Sequence, residues 1–168
     1  MNNVLPLYAP FYEGYIQRVK GSDLLQVLRN QMDDIRAISQ LSAEKAEFAY
    51  ASGKWTIKEL MCHATDTERI MSYRLLCFAR GEQKDLPGFD ENAYIENAQI
   101  ASRSLESIVE EFIHLRQANL YLAKSLSTEQ LARVGTANGS QVNVSGLLHI
   151  LAGHWAHHYS ILKERYGL

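Results

Sequence analysis

Three of the chain's six histidines occur within five consecutive positions near its C-terminus, in the sequence HWAHH at 154–158. His154 and His158 are four residues apart, so a helix stacks both imidazoles on one face, about 5–6 Å apart at Cβ. Two imidazoles at this spacing suit the binding of one divalent metal ion. The spacing therefore makes His154 and His158 the first candidates for chemistry.

The apolar pattern around this pair predicts that both rings point into the protein. The apolar stripe of the helix steps by four, three, four and three residues through Leu147, Leu151, His154, His158 and Ile161. Two neutral imidazoles buried without partners would be costly. A shared metal ion removes that cost, and so would two well-placed hydrogen bonds, so both interpretations stand at this point.

A third ligand for a metal ion must come from another helix. His149 lies about 140° from His154 around the helix axis and cannot share its site. His63 lies beside apolar positions of an earlier helix, and His114 is flanked by Phe and Leu residues in a third. Spacing favours His63 over His114 only weakly.

Hydrophobic periodicity of about 3.6 residues predicts helices through most of the chain. Four long helices are expected at 23–40, 56–80, 91–125 (broken or kinked near 102–104) and 144–166, with short helical segments near 11–19, 42–45 and 127–130. Thr56 with Glu59 fits a capping box at the start of the second long helix. The sequence ANGS at 137–140 is typical of a hairpin turn. No linker interrupts residues 1–168, so we predict one all-α domain, a four-helix bundle.

Composition excludes several classes of function. The formal net charge is -2 and no basic run is present, which argues against nucleic-acid binding. No stretch approaches the roughly 20 apolar residues of a membrane span, and the N-terminus lacks the pattern of a signal peptide. Cys62 and Cys77 fall on one predicted helix, about 22 Å apart, beyond disulfide reach. Reduced thiols and a cytoplasmic location are expected.

Two segments resemble a known family. Residues 53–69, GKWTIKELMCHATDTER, resemble the K-W-S-hydrophobic-K-E…H-x-x-D-x-E-R segment of the DinB/YfiT-like superfamily. Residues 152–162, AGHWAHHYSIL, resemble its A-G-H-x-x-H-H-x-x-I-L signature. The resemblance implies a four-helix bundle with up-down-down-up connectivity. It also implies a metal ion on one histidine of the second helix and two of the last, roles that fall on His63, His154 and His158.

Three histidines with an open coordination position match a catalytic type of metal site. Zinc or nickel is the expected ion, and iron, cobalt and manganese also suit imidazole ligands. The resemblance favours activation of a low-molecular-weight thiol for transfer to an electrophile, because relatives include transferases that use bacillithiol or mycothiol. Hydrolysis of an amide or ester by metal-activated water is the alternative. A non-catalytic, metal-stabilised binding or stress-response module is the third interpretation.

Carboxylates near His63 are candidates for orienting its imidazole. Asp66 and Glu59 lie three and four residues from it, and Glu59 is more readily explained by the helix cap. The aromatic-rich start at 8–15 predicts an apolar surface that covers the bundle or a partner, and we expect a homodimer. An enzyme needs a coordination position that faces a pocket, whereas a structural ion should be enclosed.

Overall fold

The computed structural model describes residues 4–168 and shows a mostly helical chain with one small hairpin. Its helices are α1 (Glu13–Val19), α2 (Leu24–Ile38), α3 (Ala43–Ala46), α4 (Ile57–Ala79), α5 (Glu91–Asn97), α6 (Leu105–Lys124), α7 (Thr128–Ala132) and α8 (Val144–Tyr166), and its strands are β1 (Val134–Ala137) and β2 (Ser140–Asn143). Short 3-10 turns cover Pro10–Tyr12 and Ile100–Ser102.

Helices α2, α4, α6 and α8 form a four-helix bundle, and two apolar clusters give their directions. One cluster joins the start of α2, the end of α4, the end of α6 and the start of α8. The other joins the end of α2, the start of α4, the start of α6 and the end of α8. Helices α2 and α8 therefore run parallel to each other and antiparallel to α4 and α6. This is the up-down-down-up connectivity that the family resemblance implies.

Local signals place the ends of the two helices that carry the central histidines. Thr56 and Glu59 form the expected capping box, with Thr56 N–H donating to Glu59 Oε2 at 2.7 Å and Glu59 N–H to Thr56 Oγ1 at 3.1 Å. Asn143 caps α8 by accepting from the Gly146 N–H at 2.7 Å. Gly167 ends α8 at φ 70°, in the left-handed region that glycine adopts readily. The predicted bounds of this last helix, 144–166, are confirmed.

The predicted hairpin is present between α7 and α8. Strands β1 and β2 pair antiparallel from Val134–Asn143 to Ala137–Ser140, and a two-residue turn joins them. Asn138 and Gly139 occupy that turn with φ of 52° and 70°, as a tight hairpin requires. The connection between α4 and α5 pairs with the edge of this hairpin, because Leu86 N–H donates to the Thr136 carbonyl at 3.0 Å.

The third helix predicted over 91–125, broken or kinked near 102–104, is broken in the structure. The structure has two separate helices there, α5 and α6, with a 3-10 turn between them. The backbone of Gln99 is left-handed, at φ 49°, which stops helical propagation before that turn. Ser104 then starts α6 as an N-cap that accepts from the Ser107 N–H. Of the two predicted forms, a break or a kink, the structure shows the break, which covers 98–104.

A buried polar network connects the bundle helices at mid-height. Arg116 of α6 donates through Nε and Nη2 to the two carboxylate oxygens of Glu68 of α4. It also donates through Nη1 to Gln31 of α2 at 2.6 Å, and Gln31 Nε2 donates to the Ala152 carbonyl of α8 at 2.7 Å. Asn119 adds a hydrogen bond to Glu68 at 2.7 Å. All four helices are joined through this network.

Within residues 4–168, no helix has both the length and the apolar character required to cross a membrane. In the same range both cysteines, Cys62 and Cys77, are free. Burial raises the pKa of the Cys62 thiol to about 11, with the charge of Asp66 as the next contribution. This thiol is therefore protonated and unreactive at neutral pH.

Candidate metal centre

The bundle brings together His63 from α4 and His154 and His158 from α8. The Nε2 atom of His154 lies 3.1 Å from Nε2 of His63 and 3.0 Å from Nε2 of His158. One ligand nitrogen from each of the three rings lies within 4.8 Å of the others. The antiparallel packing of α4 on α8 produces this meeting, because the start of α4 lies against the second half of α8.

Burial keeps these imidazoles neutral. Each ring is at most 8% exposed. Burial lowers the pKa of His63 to about 4, and the charge of Glu91 opposes that shift only in part. Burial first, and then the neighbouring rings, lowers the pKa of His154 and of His158 well below the ordinary value. Neutral imidazole is the form of histidine that binds metal ions.

The three rings fit one divalent ion. Nitrogens separated by 3.0–3.1 Å can both lie about 2.0–2.1 Å from a shared zinc ion. The second nitrogen of His158, Nδ1, is buried without a hydrogen-bond partner in residues 4–168. That ring is therefore not held by hydrogen bonding at both nitrogens, which the alternative interpretation of two satisfied histidines would require.

The other three histidines do not belong to this cluster, although the His157 ring lies 5.1 Å from that of His158. His114 is exposed on the outer face of α6, so the structure does not bring it to His154 and His158. The His149 ring folds back along α8, where its Nδ1 lies 2.8 Å from the Ser145 carbonyl oxygen, one turn earlier. His157 points towards α1, where its ring packs against Tyr15 at a centroid distance of 5.2 Å.

The three histidines of the cluster line a cavity of about 380 Å³. Its walls come from α4 and α8, from the aromatic N-terminal segment, from the connection between α4 and α5, and from the tip of the hairpin. The residues that line it include Tyr12, Tyr15, Trp55, His63, Thr67, Met71, Arg74, Phe89, Glu91, Asn138, Ser140, Ile150, His154 and His158. The cluster therefore opens to a space that accommodates a small molecule. Such a position is expected of a catalytic ion rather than an enclosed structural one.

Aromatic side chains brace the histidine rings. Trp55 lies over His63 at a centroid distance of 4.8 Å, and its carbonyl accepts from the Tyr166 hydroxyl at 2.6 Å. The edge of His154 meets Tyr15 of α1 at 5.4 Å. Helix α1 approaches α8 this closely because residue 153 is glycine: a Cβ there would lie 2.2 Å from the Tyr15 carbonyl oxygen. The aromatic N-terminal segment folds back over the bundle, one of its two expected roles.

Family membership follows from the sequence profile of the DinB superfamily, which matches residues 26–162 and so includes all three histidines of the cluster. The chain belongs to the DinB superfamily.

Two known proteins are similar to this chain. A protein from Oceanobacillus iheyensis is 25% identical over 128 residues, which cover 75% of this chain and 73% of that protein, and it is named "putative metal-dependent hydrolase". YfiT from Bacillus subtilis has a solved structure that matches 96% of this chain and 90% of its own, with a TM-score of 0.69 and 16% identity. It is described as a "probable metal-dependent hydrolase with an unusual four-helix bundle topology", and at this identity the match shows the fold.

The two carboxylates that the sequence offered as partners for His63 are placed elsewhere in this DinB bundle. Glu59 is engaged in the capping box of α4. Asp66 lies on the side of α4 that faces away from the cavity, where the Cys62 thiol approaches it at 4.0 Å.

Sequence reasoning missed two charged residues of the cavity wall, Arg74 and Glu91. Arg74 follows His63 by eleven residues, which is about three helical turns, so the helical period places both on one face of α4. That period was available in the sequence and could have identified Arg74. Glu91 begins α5 in a connection without periodicity, so no comparable signal pointed to it.

Proposed function

We propose that this DinB protein is a metal-dependent enzyme that delivers a small nucleophile to a substrate in its cavity. The observation that carries the proposal is the position of His63, His154 and His158, three neutral imidazoles that converge at the wall of a 380 Å³ space. An ion held there would have protein ligands on one side and the cavity on the other. The names of the two relatives, both metal-dependent, support the same conclusion.

Zinc or nickel is the ion that we propose for the three rings. Three imidazoles without a thiolate or carboxylate form a borderline donor set, which these two ions accept readily, as do iron, cobalt and manganese. When bound, such an ion supplies a lowered pKa to a thiol or water that occupies its open position. The chain's own rings contribute neutral nitrogens, and Trp55 and Tyr15 fix the orientation of two of them.

Transfer of a low-molecular-weight thiol is the reaction that we place first. A carbon–sulfur bond forms to the electrophile, the bond to its leaving group breaks, and the thiol proton passes to solvent. Thiol ionisation on a metal needs no general base, whereas hydrolysis benefits from one. The thiol reaction therefore requires from the chain only the three rings and the cavity beside them.

Hydrolysis of an amide or ester is the second candidate, and Glu91 is the observation that favours it. This carboxylate lines the cavity, and its charge acts on His63. It is therefore placed to accept a proton from an attacking water once a substrate is bound. The names of the relatives also favour this reaction.

Elemental mass spectrometry of the purified protein, combined with two activity assays, tests the proposal. We expect about one zinc or nickel ion per chain, retained in His114→Ala and lost in His63→Ala and His154→Ala. One assay follows conjugation of a thiol to a chromogenic aryl halide, and the other follows hydrolysis of nitrophenyl esters and anilides. Glu91→Gln should slow hydrolysis about 10²-fold and leave thiol transfer unchanged. Absence of metal after reloading with zinc and nickel would overturn the proposal.

A non-catalytic module remains the competing interpretation, and it predicts bound metal without turnover in either assay. The expected homodimer stays a prediction, which light scattering during size-exclusion chromatography tests directly. We also propose a cytoplasmic location, which the two free thiols suit.

A further inference from the structure

Arg74 is a buried cation without a counter-ion. It is 3% exposed, and it lines the same cavity as the three histidines. Its Nη2 donates to the Pro87 carbonyl at 2.6 Å, and its Nη1 lies 3.8 Å from the sulfur of Met71. Within residues 4–168, no carboxylate oxygen lies within 4.0 Å of its guanidinium. Three of its five N–H groups thus lack an acceptor in that range.

The second buried arginine of the bundle, Arg116, has both a counter-ion and hydrogen-bond acceptors. Arg116 is fully buried, and it has a bidentate carboxylate partner in Glu68 and an additional acceptor in Gln31. An arginine remains charged inside a protein, so burial without an anion carries a large desolvation cost. Unlike Arg116, Arg74 lines a cavity. An anion that enters this cavity can reach Arg74 and offset the desolvation cost.

The position of Arg74 on α4 indicates how a ligand would lie. Eleven residues separate it from His63, about 16 Å along the helix axis, on nearly the same face. Helical side chains lean towards the N-terminus of their helix, and the contact of Arg74 with Met71, three residues earlier, shows that lean. The guanidinium therefore points along the cavity towards the histidines. Glu91 places a negative charge near His63, at one end of the cavity. Arg74 places a positive charge at the other end.

Polar side chains at the hairpin tip complete this end of the cavity. Asn138, exposed at the turn, and Ser140, partly buried, both line it. An amide and a hydroxyl beside a guanidinium can each donate to an anionic oxygen. The three side chains together offer the donors that a carboxylate or a phosphate requires.

We propose that Arg74 binds the anionic group of the substrate, a carboxylate or a phosphate, at the end of the cavity remote from the three histidines. The inference rests on the proposed function, in which the cavity holds the substrate. It defines the substrate class as an elongated small molecule with a reactive group at one end and an anion at the other. Arg74 selects and positions that molecule without contacting the reacting atoms.

Melting temperatures in different salts test the site without an activity assay. Purified protein is heated in sodium acetate or sodium phosphate, each compared with sodium chloride at equal ionic strength. An anion at ten times its dissociation constant should raise the melting temperature by about 3–6 °C. We expect this anion-specific rise in the wild type and its loss in Arg74→Met. The salt with the larger rise identifies carboxylate or phosphate as the group recognised.

Arg133 provides the matched control. Its Nη1 donates to the Ala79 carbonyl at 2.5 Å, as Arg74 does to Pro87, but it does not line the cavity, so Arg133→Met should keep the anion-specific rise. If Arg74→Met does not fold, Arg74→Gln keeps a donor for the Pro87 carbonyl and replaces it in the test. A purely structural role would lower the melting temperature of either Arg74 variant equally in every salt.

An equal anion-specific rise in the wild type and in Arg74→Met would overturn the proposal, as would no rise in the wild type. Metal content separates this failure from failure of the proposed function. Arg74→Met should retain the wild-type metal content, because Arg74 lies about three turns from His63. Conversely, His63→Ala should lose metal and keep the anion-specific rise.

Discussion

Arg116 binds Glu68 through two nitrogens, with Nε 2.7 Å from Oε1 and Nη2 3.0 Å from Oε2, and both side chains are shielded from water. Through Gln31 the pair is connected to the Ala152 carbonyl, two residues before His154. The ion pair thus holds α4 and α6 together. Through Gln31 it is also connected to the segment of α8 that carries His154.

Breaking this pair on one side should destabilise the protein strongly. We expect Glu68→Gln or Arg116→Met to lower the free energy of unfolding by about 3–5 kcal/mol, because each leaves a buried group uncompensated. The double variant Glu68→Gln/Arg116→Met should cost less than the sum of the two single changes. Urea unfolding followed by circular dichroism measures all three. Single variants within about 1 kcal/mol of the wild type would show that water reaches the pair.

Glycine at position 153 should be required for the docking of α1 on α8. A Cβ at this position would lie 2.2 Å from the Tyr15 carbonyl, so we expect Gly153→Ala to lower stability by about 1–3 kcal/mol despite the better helix propensity of alanine. Gly14→Ala is the control, because a Cβ there has no heavy atom within 4 Å and the change should be neutral or stabilising by up to about 1 kcal/mol. Equal effects of both changes in urea unfolding would contradict the close approach of the helices.

Removal of the metal should lower thermal stability. At a free ion concentration 100 times the dissociation constant, binding stabilises the folded state by about 2.7 kcal/mol, which corresponds to about 5–10 °C in melting temperature. Chelation should lower the melting temperature of the wild type and of His114→Ala by this amount, and zinc should restore it. His158→Ala should not respond to zinc. A zinc response in His158→Ala equal to that of the wild type would exclude this residue as a ligand.

Alkaline pH should destabilise the protein through Tyr166. Burial raises the pKa of its hydroxyl from 10.0 to about 12. The unfolded chain therefore loses this proton first, so the free energy of unfolding falls as pH rises from about 10 to about 12. Urea unfolding at pH 8 and pH 11 should show a smaller loss in Tyr166→Phe than in the wild type. Equal losses would mean that the hydroxyl titrates normally and does not depend on its hydrogen bond to Trp55.

The long helices, the hairpin and the inward pair of histidines could be predicted because each has a short-range signal. The 3.6-residue period defines α8, the dipeptide Asn138-Gly139 defines the turn, and the spacing of His154 and His158 places both on the core face. Spacing alone left His63 and His114 both open as the third ligand. The resemblance to the DinB superfamily favoured His63, and the structure places that residue against the pair.

The remaining features depend on tertiary packing, for which the sequence has no local signal. The break before α6 involves a left-handed Gln99, a residue type with no strong preference for that conformation. The orientation of Asp66 away from the cavity depends on how α4 is rotated against α8. The walls of the cavity come from connections that are far apart in sequence, so neither Glu91 nor Phe89 could be assigned to them from periodicity.

The division between the bundle and these connections has a consequence for divergence within the superfamily. The histidines lie on α4 and α8, where a change of residue or register disturbs the core. Much of the cavity wall is contributed instead by the N-terminal segment, by the connection after α4 and by the hairpin tip, which are outside the four bundle helices. The side chains that these three segments present to the cavity can change at less cost to folding than those of the bundle core. One metal-binding scaffold can therefore acquire new substrates by remodelling its periphery, and chimeras that exchange these segments between relatives should exchange selectivity as well.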